Sequence, residues 1–428
     1  MSLVIGIGGL LLLLVGGMPI GFALATSGAL GLAAHMGPGI VGPLMADSFF
    51  EHSSSYLLLT VPMFVLMSEY LSASGIARDI VVASYRWIGR LPGGLGIACV
   101  AASALMAAVI GSSTASAATM STAAFPNMKQ LKYHPRLAAG IIAISGTLAI
   151  MIPPSVILVI YGIMTEQSIG KLLIAGVIPG LLTMLGYIVV MVYLALRHPH
   201  LAPRAPSFDL RTATKSLTTV WPVMLLIVVV IGSLYGGVAT PTEIGAVGSL
   251  FALIIVVILR RINGEGMRGA MENTLRTYMM IMMIILGAMV FGFFMTYTQL
   301  PQKLVTAATV SELPPWVILA MLIGIYLFLG CFLDQIAILV LTVPLTFPIV
   351  SSLGFDGIWY GIIITKTVEI GLVTPPLGLN VYVTSSVTGV PLGEAFKGVM
   401  PFLLMELVLL LLLVAVPDIS LWLPSHMR

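Results

Sequence analysis

Charge is what this sequence has least of. Asp, Glu, Lys and Arg make up 8% of its 428 residues, against about 25% in an ordinary soluble domain, and the shortfall runs the whole length. A soluble enzyme is excluded on that ground. The net charge of +3 does not point to nucleic acid, because the basic residues sit in short loops beside apolar runs. Cysteine is nearly absent: Cys99 and Cys331 are the only two, and both lie inside apolar runs, as small buried hydrophobes do. The six His have no metal-ligand spacing. No phosphate loop is present, so nothing indicates direct ATP coupling, and no resident cofactor is called for. No polar stretch is long enough to fold outside a membrane.

Apolar length takes the place of charge, with a mean hydropathy of +1.11. Runs near the roughly 20 residues that a membrane helix needs fall at 19–34, 54–77, 137–163, 173–196, 219–236, 240–259, 277–299, 314–332, 357–384 and 398–417. The expectation is an all-α polytopic membrane protein in a lipid bilayer. The first run, 3–15, is short for a span. It lacks the basic flank and the cleavage site of a signal peptide, so it reads as part of the mature chain.

Prolines reveal a repeat. Pro19 and Pro241, Leu91-Pro92 and Leu313-Pro314, Phe125-Pro126 and Phe347-Pro348, Pro153-Pro154 and Pro375-Pro376, and Pro179 and Pro401 all pair at one ungapped offset of 222 residues. This predicts repeat one over 1–200, a linker over 201–218 and repeat two over 219–428. Lys and Arg mark cytoplasmic loops. Arg78, Arg86 and Arg90 lie in loop 78–90, whose counterpart 300–312 has only Lys303. Lys129, Lys132 and Arg136 lie in 127–136, whose counterpart has no basic residue. The bias reverses for 35–53 against 257–275, where Arg260, Arg261 and Arg268 sit. The two copies therefore face opposite ways. The linker, flanked by Arg197 and holding Arg204, Arg211 and Lys215, reads as cytoplasmic. Inverted repeats are a recurrent design of secondary transporters, with sites near the midplane.

Residues 94–127 start and end beside inside-facing loops, which predicts a re-entrant hairpin. Its middle, "GSSTASAAT" at 111–119, suits a tight tip. The matching hairpin is 315–348, with "LDQIA" at 333–337 placing Asp334 and Gln335 where Ser112 and Ser113 sit in copy one. A carboxylate inside a membrane segment is costly and marks function by default. A broken helix follows each hairpin, at 137–163 and 357–384. Proline in a helix interior costs about 3 kcal/mol, and lipid offers no water to heal the break. Carbonyls near Leu148–Ile150 and Ile370–Leu372 are expected to lose their helical partners. With Ser145, Thr147, Ser155, Thr374 and Asn380 they supply the hard oxygens that Na⁺ requires. Half-helix N-termini suit an anionic substrate.

Other polar residues take structural readings. Thr240 and Glu243 beside Pro241 form a capping-box pattern. Lys366 and Glu369, three apart, read as an ion pair. Glu69 has no partner in sequence.

Four motifs in order, "IGSSTASAATM" (110–120), "MIPPS" (151–155), "GVATPTEIGAVG" (237–248) and "GLVTPPLGLNVYV" (371–383), resemble the large membrane subunit of TRAP transporters, the DctM type. The resemblance covers nearly the whole chain. It implies a multi-pass protein of the bacterial inner membrane, moving its substrate by an elevator motion. Its partners would be a periplasmic substrate-binding protein and a small four-helix membrane subunit on a separate chain. The cargo would be an organic acid anion, of the C4-dicarboxylate, sialic-acid or keto-acid type, coupled to Na⁺. The family's ion and substrate sites map onto 111–115, 146–154, 333–335 and 371–376. With the oxygen donors named above, the candidate residues are Ser112, Ser113, Thr114, Ser145, Gly146, Thr147, Pro153, Pro154, Ser155, Asp334, Gln335, Gly371, Thr374, Pro375, Pro376 and Asn380. Two alternatives stay open: a stand-alone divalent-anion/Na⁺ symporter, and an intramembrane enzyme with Ser112 or Ser113 as nucleophile. The second lacks a base, since no His, Lys, Asp or Glu lies between residues 91 and 128.

Overall fold

Residues 1–203, 210–310 and 313–427 are described by a computed structural model. Among them the chain is helical, with no strand. Seven helices among the described residues are long and apolar enough to cross a bilayer. Residues 204–209 of the expected linker, and 311–312 of the loop before the second hairpin, lie outside the described residues. The short first run is helical from Val4 to Val15 and packs on the helix Ile20–Met36.

Four helices make one body. Gly264–Tyr297 packs along Ile20–Met36 and Thr60–Ala73, and Pro241–Ile258 packs along Thr60–Ala73. Contact is tightest at glycines: a Cβ on Gly21 would lie 2.6 Å from the Met283 carbonyl oxygen, and one on Gly28 2.8 Å from the Phe291 backbone. In lipid, apolar surface gains little by meeting other apolar surface, so small residues that let backbones approach supply the packing. Pro241–Ile258 opens on a full capping box. Glu243 N–H donates to Thr240 Oγ1 at 3.4 Å, and Thr240 N–H donates to Glu243 Oε2 at 2.7 Å. Pro241 fills the first helical position, where no N–H is needed. The structural reading of Thr240 and Glu243 therefore stands.

The second body holds both hairpins and both broken helices. Ser113–Gln130 packs on Pro135–Ser145 and Leu379–Thr388, Pro315–Gly330 on Gly357–Gly371, and Leu392–Ala415 on Pro135–Ser145 and Val177–Arg197. Gly140 and Gly398 cross backbone to backbone, and a Cβ on Gly398 would run into the Arg136 carbonyl. The inner hairpin helices, Ser113–Gln130 and Gln335–Ser352, begin and end 222 residues apart. Ile76–Ile88 leads from the first body to hairpin one. It is tied to the C-terminal end of Pro241–Ile258 by Asp79 and Arg261 at 2.8 Å.

Both tips are shorter than expected. The run 111–119 is not a loop: only Gly111 and Ser112 leave the helix, and Ser113 starts the next one. Gly111 has φ +63°, a left-handed turn that glycine adopts without steric cost. The Ser, Thr and Ala that follow have no such need and form ordinary helix. The second tip is Cys331–Asp334, with helix from Gln335.

Candidate functional site

The two tips meet at one cavity of about 510 Å³. Ser112 and Thr114 line it from hairpin one, and Asp334 and Gln335 from hairpin two. Ser68, Glu69 and Thr277 of the first body face them across it. Two helices begin at this cavity, and their N-terminal ends carry partial positive charge suited to an anion. Asp334 caps the second of them, accepting from the Ile336 N–H at 3.2 Å. Ser112 holds the same place in hairpin one, its hydroxyl 3.4 Å from that of Thr114. Gln335 is buried, and its Oε1 has no hydrogen-bond partner.

Behind the tips the two halves of the chain interlock. Asn380 Nδ2 donates to Ser113 Oγ at 2.5 Å and to the Ala143 carbonyl at 3.4 Å. Its Oδ1 is buried and unpartnered. Hairpin one thus touches both broken helices, because a Cβ on Gly111 would also sit 2.8 Å from the Pro154 carbonyl oxygen. Gly146 packs on Ala117, and Gly371 packs on Gly330, each close enough that a Cβ would crowd its neighbour. Both breaks carry a cis Pro-Pro bond. Pro153 and Pro154 are buried, whereas Pro375 and Pro376 are exposed.

The break carbonyls of Ile150, Gly371 and Leu372, each four residues before a proline, lose their helical partners as expected, but other groups take their place. The Leu148 carbonyl accepts from the Ile152 N–H at 3.0 Å, and that of Ile150 from Ser155 Oγ at 2.6 Å. The Ile370 carbonyl accepts from Thr374 Oγ1 at 2.6 Å, that of Gly371 from the Thr374 N–H at 3.0 Å, and that of Leu372 from the Asn380 N–H at 3.1 Å. Hydroxyls and local turns heal the backbone, as buried polar groups require. Among the buried side-chain oxygens near the tips, those of Gln335 and Asn380 have no partner. Ser145 is turned toward Ser103, at 3.0 Å, and Thr147 toward Tyr187, at 3.0 Å. Neither lines the cavity, nor do Ser155, Thr374 and Asn380.

Tyr187 opens a larger network. Its hydroxyl donates to Glu406, which pairs with Lys366. Lys366 Nζ also lies 2.8 Å from Glu369 Oε2 and 2.8 Å from Thr183 Oγ1. The expected Lys366–Glu369 pair is present, but as part of a buried triad. Glu406 was legible by the rule that singled out Asp334, being a lone carboxylate in "PFLLMELVLL". Tyr187 carries no such signal. Glu69 does find a partner, accepting from Asn273 Nδ2 at 3.3 Å. Ser68 and Thr277 had no sequence signal, because only the meeting of the two bodies makes them site residues.

A family model described as "Tripartite ATP-independent periplasmic transporter, DctM component" matches residues 7–419. The chain is 38% identical to the C4-dicarboxylate TRAP transporter large permease protein DctM of Pseudomonas aeruginosa, over 89% of each chain. It is 33% identical to the sialic acid TRAP transporter large permease protein SiaM of Vibrio cholerae, over 96% of each. Among solved structures, the fold is similar to that of the Alcanivorax borkumensis YdaH transporter. The TM-score is 0.65, at 13% identity over 91% of this chain and 88% of that one.

Proposed function

The chain belongs to the DctM family, the large permease components of tripartite ATP-independent periplasmic transporters, and on that premise we propose that it carries organic acid anions inward by coupling them to Na⁺. As a permease of this family it is a multi-pass protein of the bacterial inner membrane. One observation carries the proposal. Both hairpin tips, from opposite halves of the chain, end on one cavity that also holds a membrane carboxylate, Asp334. The orphaned oxygens of Gln335, in that cavity, and of Asn380, behind the tips, support a hard cation held at or behind the tips, since an unpaired buried carbonyl costs free energy that a cation recovers. Two helix N-termini and Ser112 and Thr114 suit the carboxylate of an organic acid.

In the proposed cycle Na⁺ orders the tips, the anion binds between them, and the second body slides against the first as an elevator. The copies are read as inverted, from the Lys and Arg distribution. Moving one net charge through the membrane potential is worth about 2.3 kcal/mol per 100 mV, so excess Na⁺ drives uptake. The family premise supports a periplasmic binding protein and a small membrane subunit as partners.

The test is uptake into proteoliposomes, with the Na⁺ gradient, the small subunit and the binding protein omitted in turn. Uptake should vanish in each case. Uptake that persists without the binding protein would favour a stand-alone symporter. Uptake without Na⁺ would overturn the coupling.

A further inference from the structure

A second cavity, of about 430 Å³, lies far from the tips in sequence and gathers His134, Arg136, His198, His200 and Lys397 from three separate stretches of chain. The start of the linker is pinned there by a hydrogen bond from the His134 N–H to the Leu201 carbonyl, at 3.0 Å. This brings His198 and His200 beside the helix that begins at Pro135. Their rings stand edge to face, 5.8 Å apart. Arg136 donates one guanidinium N–H to the Lys397 carbonyl at 3.1 Å. Lys397 is paired with Glu394 at 2.8 Å, a carboxylate that also feels the charges of Arg136 and His134 and that a bound phosphate must compete with, although it does not itself line the cavity. His134 caps the helix without a side-chain hydrogen bond, so the helix end adds its own partial positive charge. Imidazole N–H groups, a guanidinium fork and a helix N-terminus together form an oxyanion-binding set, and phosphate is the oxyanion that an Arg fork matches best.

The surroundings choose the source of that phosphate. The cavity opens where the end of Val177–Arg197 meets the start of Leu392–Ala415, on the side that the Lys and Arg distribution assigns to the cytoplasm. Each helix presents an exposed apolar stripe leading away from it: Val189, Tyr193 and Leu196 on one, and Met400, Leu404 and Leu411 on the other. A head group in the cavity would lay its acyl chains along these stripes. Basic pockets between membrane helices on the cytoplasmic side are suited to anionic phospholipid head groups.

The geometry points to a binding site for the phosphate of an anionic glycerophospholipid, seated on the second body and separate from the transport cavity. The inference does not depend on Na⁺ coupling or on the substrate. To test it, the purified full-length protein in neutral detergent is titrated with phosphatidylglycerol, phosphatidylcholine and glycerol 3-phosphate, and retained lipid is counted by native mass spectrometry. The wild type should retain phosphatidylglycerol selectively. The Arg136→Gln/His200→Gln variant should lose about fivefold or more of that retention. An Arg78→Gln/Arg86→Gln variant, with basic residues removed from the helix Ile76–Ile88 instead, should lose none. Lys397→Gln serves as a second site variant, and size-exclusion profiles check that each is folded. Equal loss in the control variant, equal retention of phosphatidylcholine, or displacement of the lipid by equimolar glycerol 3-phosphate would each overturn the assignment.

Discussion

Replacing Lys366 with Met tests how the second body tolerates charge at its centre. The ammonium is fully buried, as are the carboxylates it touches. At the 2.8 Å separation from Glu369 and an effective dielectric of about 20, each such contact supplies about 6 kcal/mol of attraction. Desolvation of several kcal/mol per ion offsets most of that, so the triad itself adds little net stability. Deleting the ammonium is different, because Glu369 and Glu406 would then be buried beside each other with no cation. That change should cost about 3–5 kcal/mol. The assay is reversible denaturant unfolding of the purified protein in detergent, followed by tryptophan fluorescence. A triple variant, Lys366→Met/Glu369→Gln/Glu406→Gln, removes all three charges at similar volume and should recover most of the loss. A Lys366→Met protein within about 0.5 kcal/mol of wild type, or a triple variant no better than the single one, would refute the reasoning.

Three further expectations concern separate parts of the molecule. Gly398→Ala drives a methyl group into the Arg136 carbonyl, where both neighbours are backbone and cannot swing aside. It should lower stability by about 1–3 kcal/mol, and an unchanged melting curve would deny the tight crossing. Thr240→Ala removes the capping hydroxyl and should cost about 1 kcal/mol, while Thr240→Ser should be close to neutral in the same unfolding assay. Asp334→Asn and Ser113→Ala should abolish Na⁺-driven uptake in proteoliposomes while the protein still expresses and folds. Wild-type rates in both would remove these residues from the site.

Much of the architecture was legible because lipid leaves few options. Apolar length marks the spans, and proline marks the breaks, since a freed carbonyl must be answered within the chain. The Ser112 and Asp334 tips were readable for the same reason: a hydroxyl cluster and a carboxylate have little other business in a membrane segment. The length of the tips was not, because a run such as "STASAA" is equally good as helix or loop until tertiary packing decides. The fate of the break carbonyls was also hidden. Ser155 and Thr374 could have faced an ion, but each turns back to mend its own helix. Contacts between distant segments were least legible of all. Nothing in the neighbourhood of Asn380 says that it reaches Ser113, 267 residues away, and nothing around Tyr187 says that it reaches Glu406.

The central claim is that oxygens at the tips and behind them hold the coupling ion. The most direct measurement is a Na⁺ titration of substrate uptake for wild type, Gln335→Ala and Asn380→Ala, in the complete reconstituted system. Each variant deletes a buried carbonyl oxygen without a protein partner, a contact worth about 1.5–3 kcal/mol to a charged group. The account predicts half-saturating Na⁺ raised about tenfold or more in both variants, with uptake recovered at high Na⁺. Half-saturation at the wild-type concentration in both would contradict it.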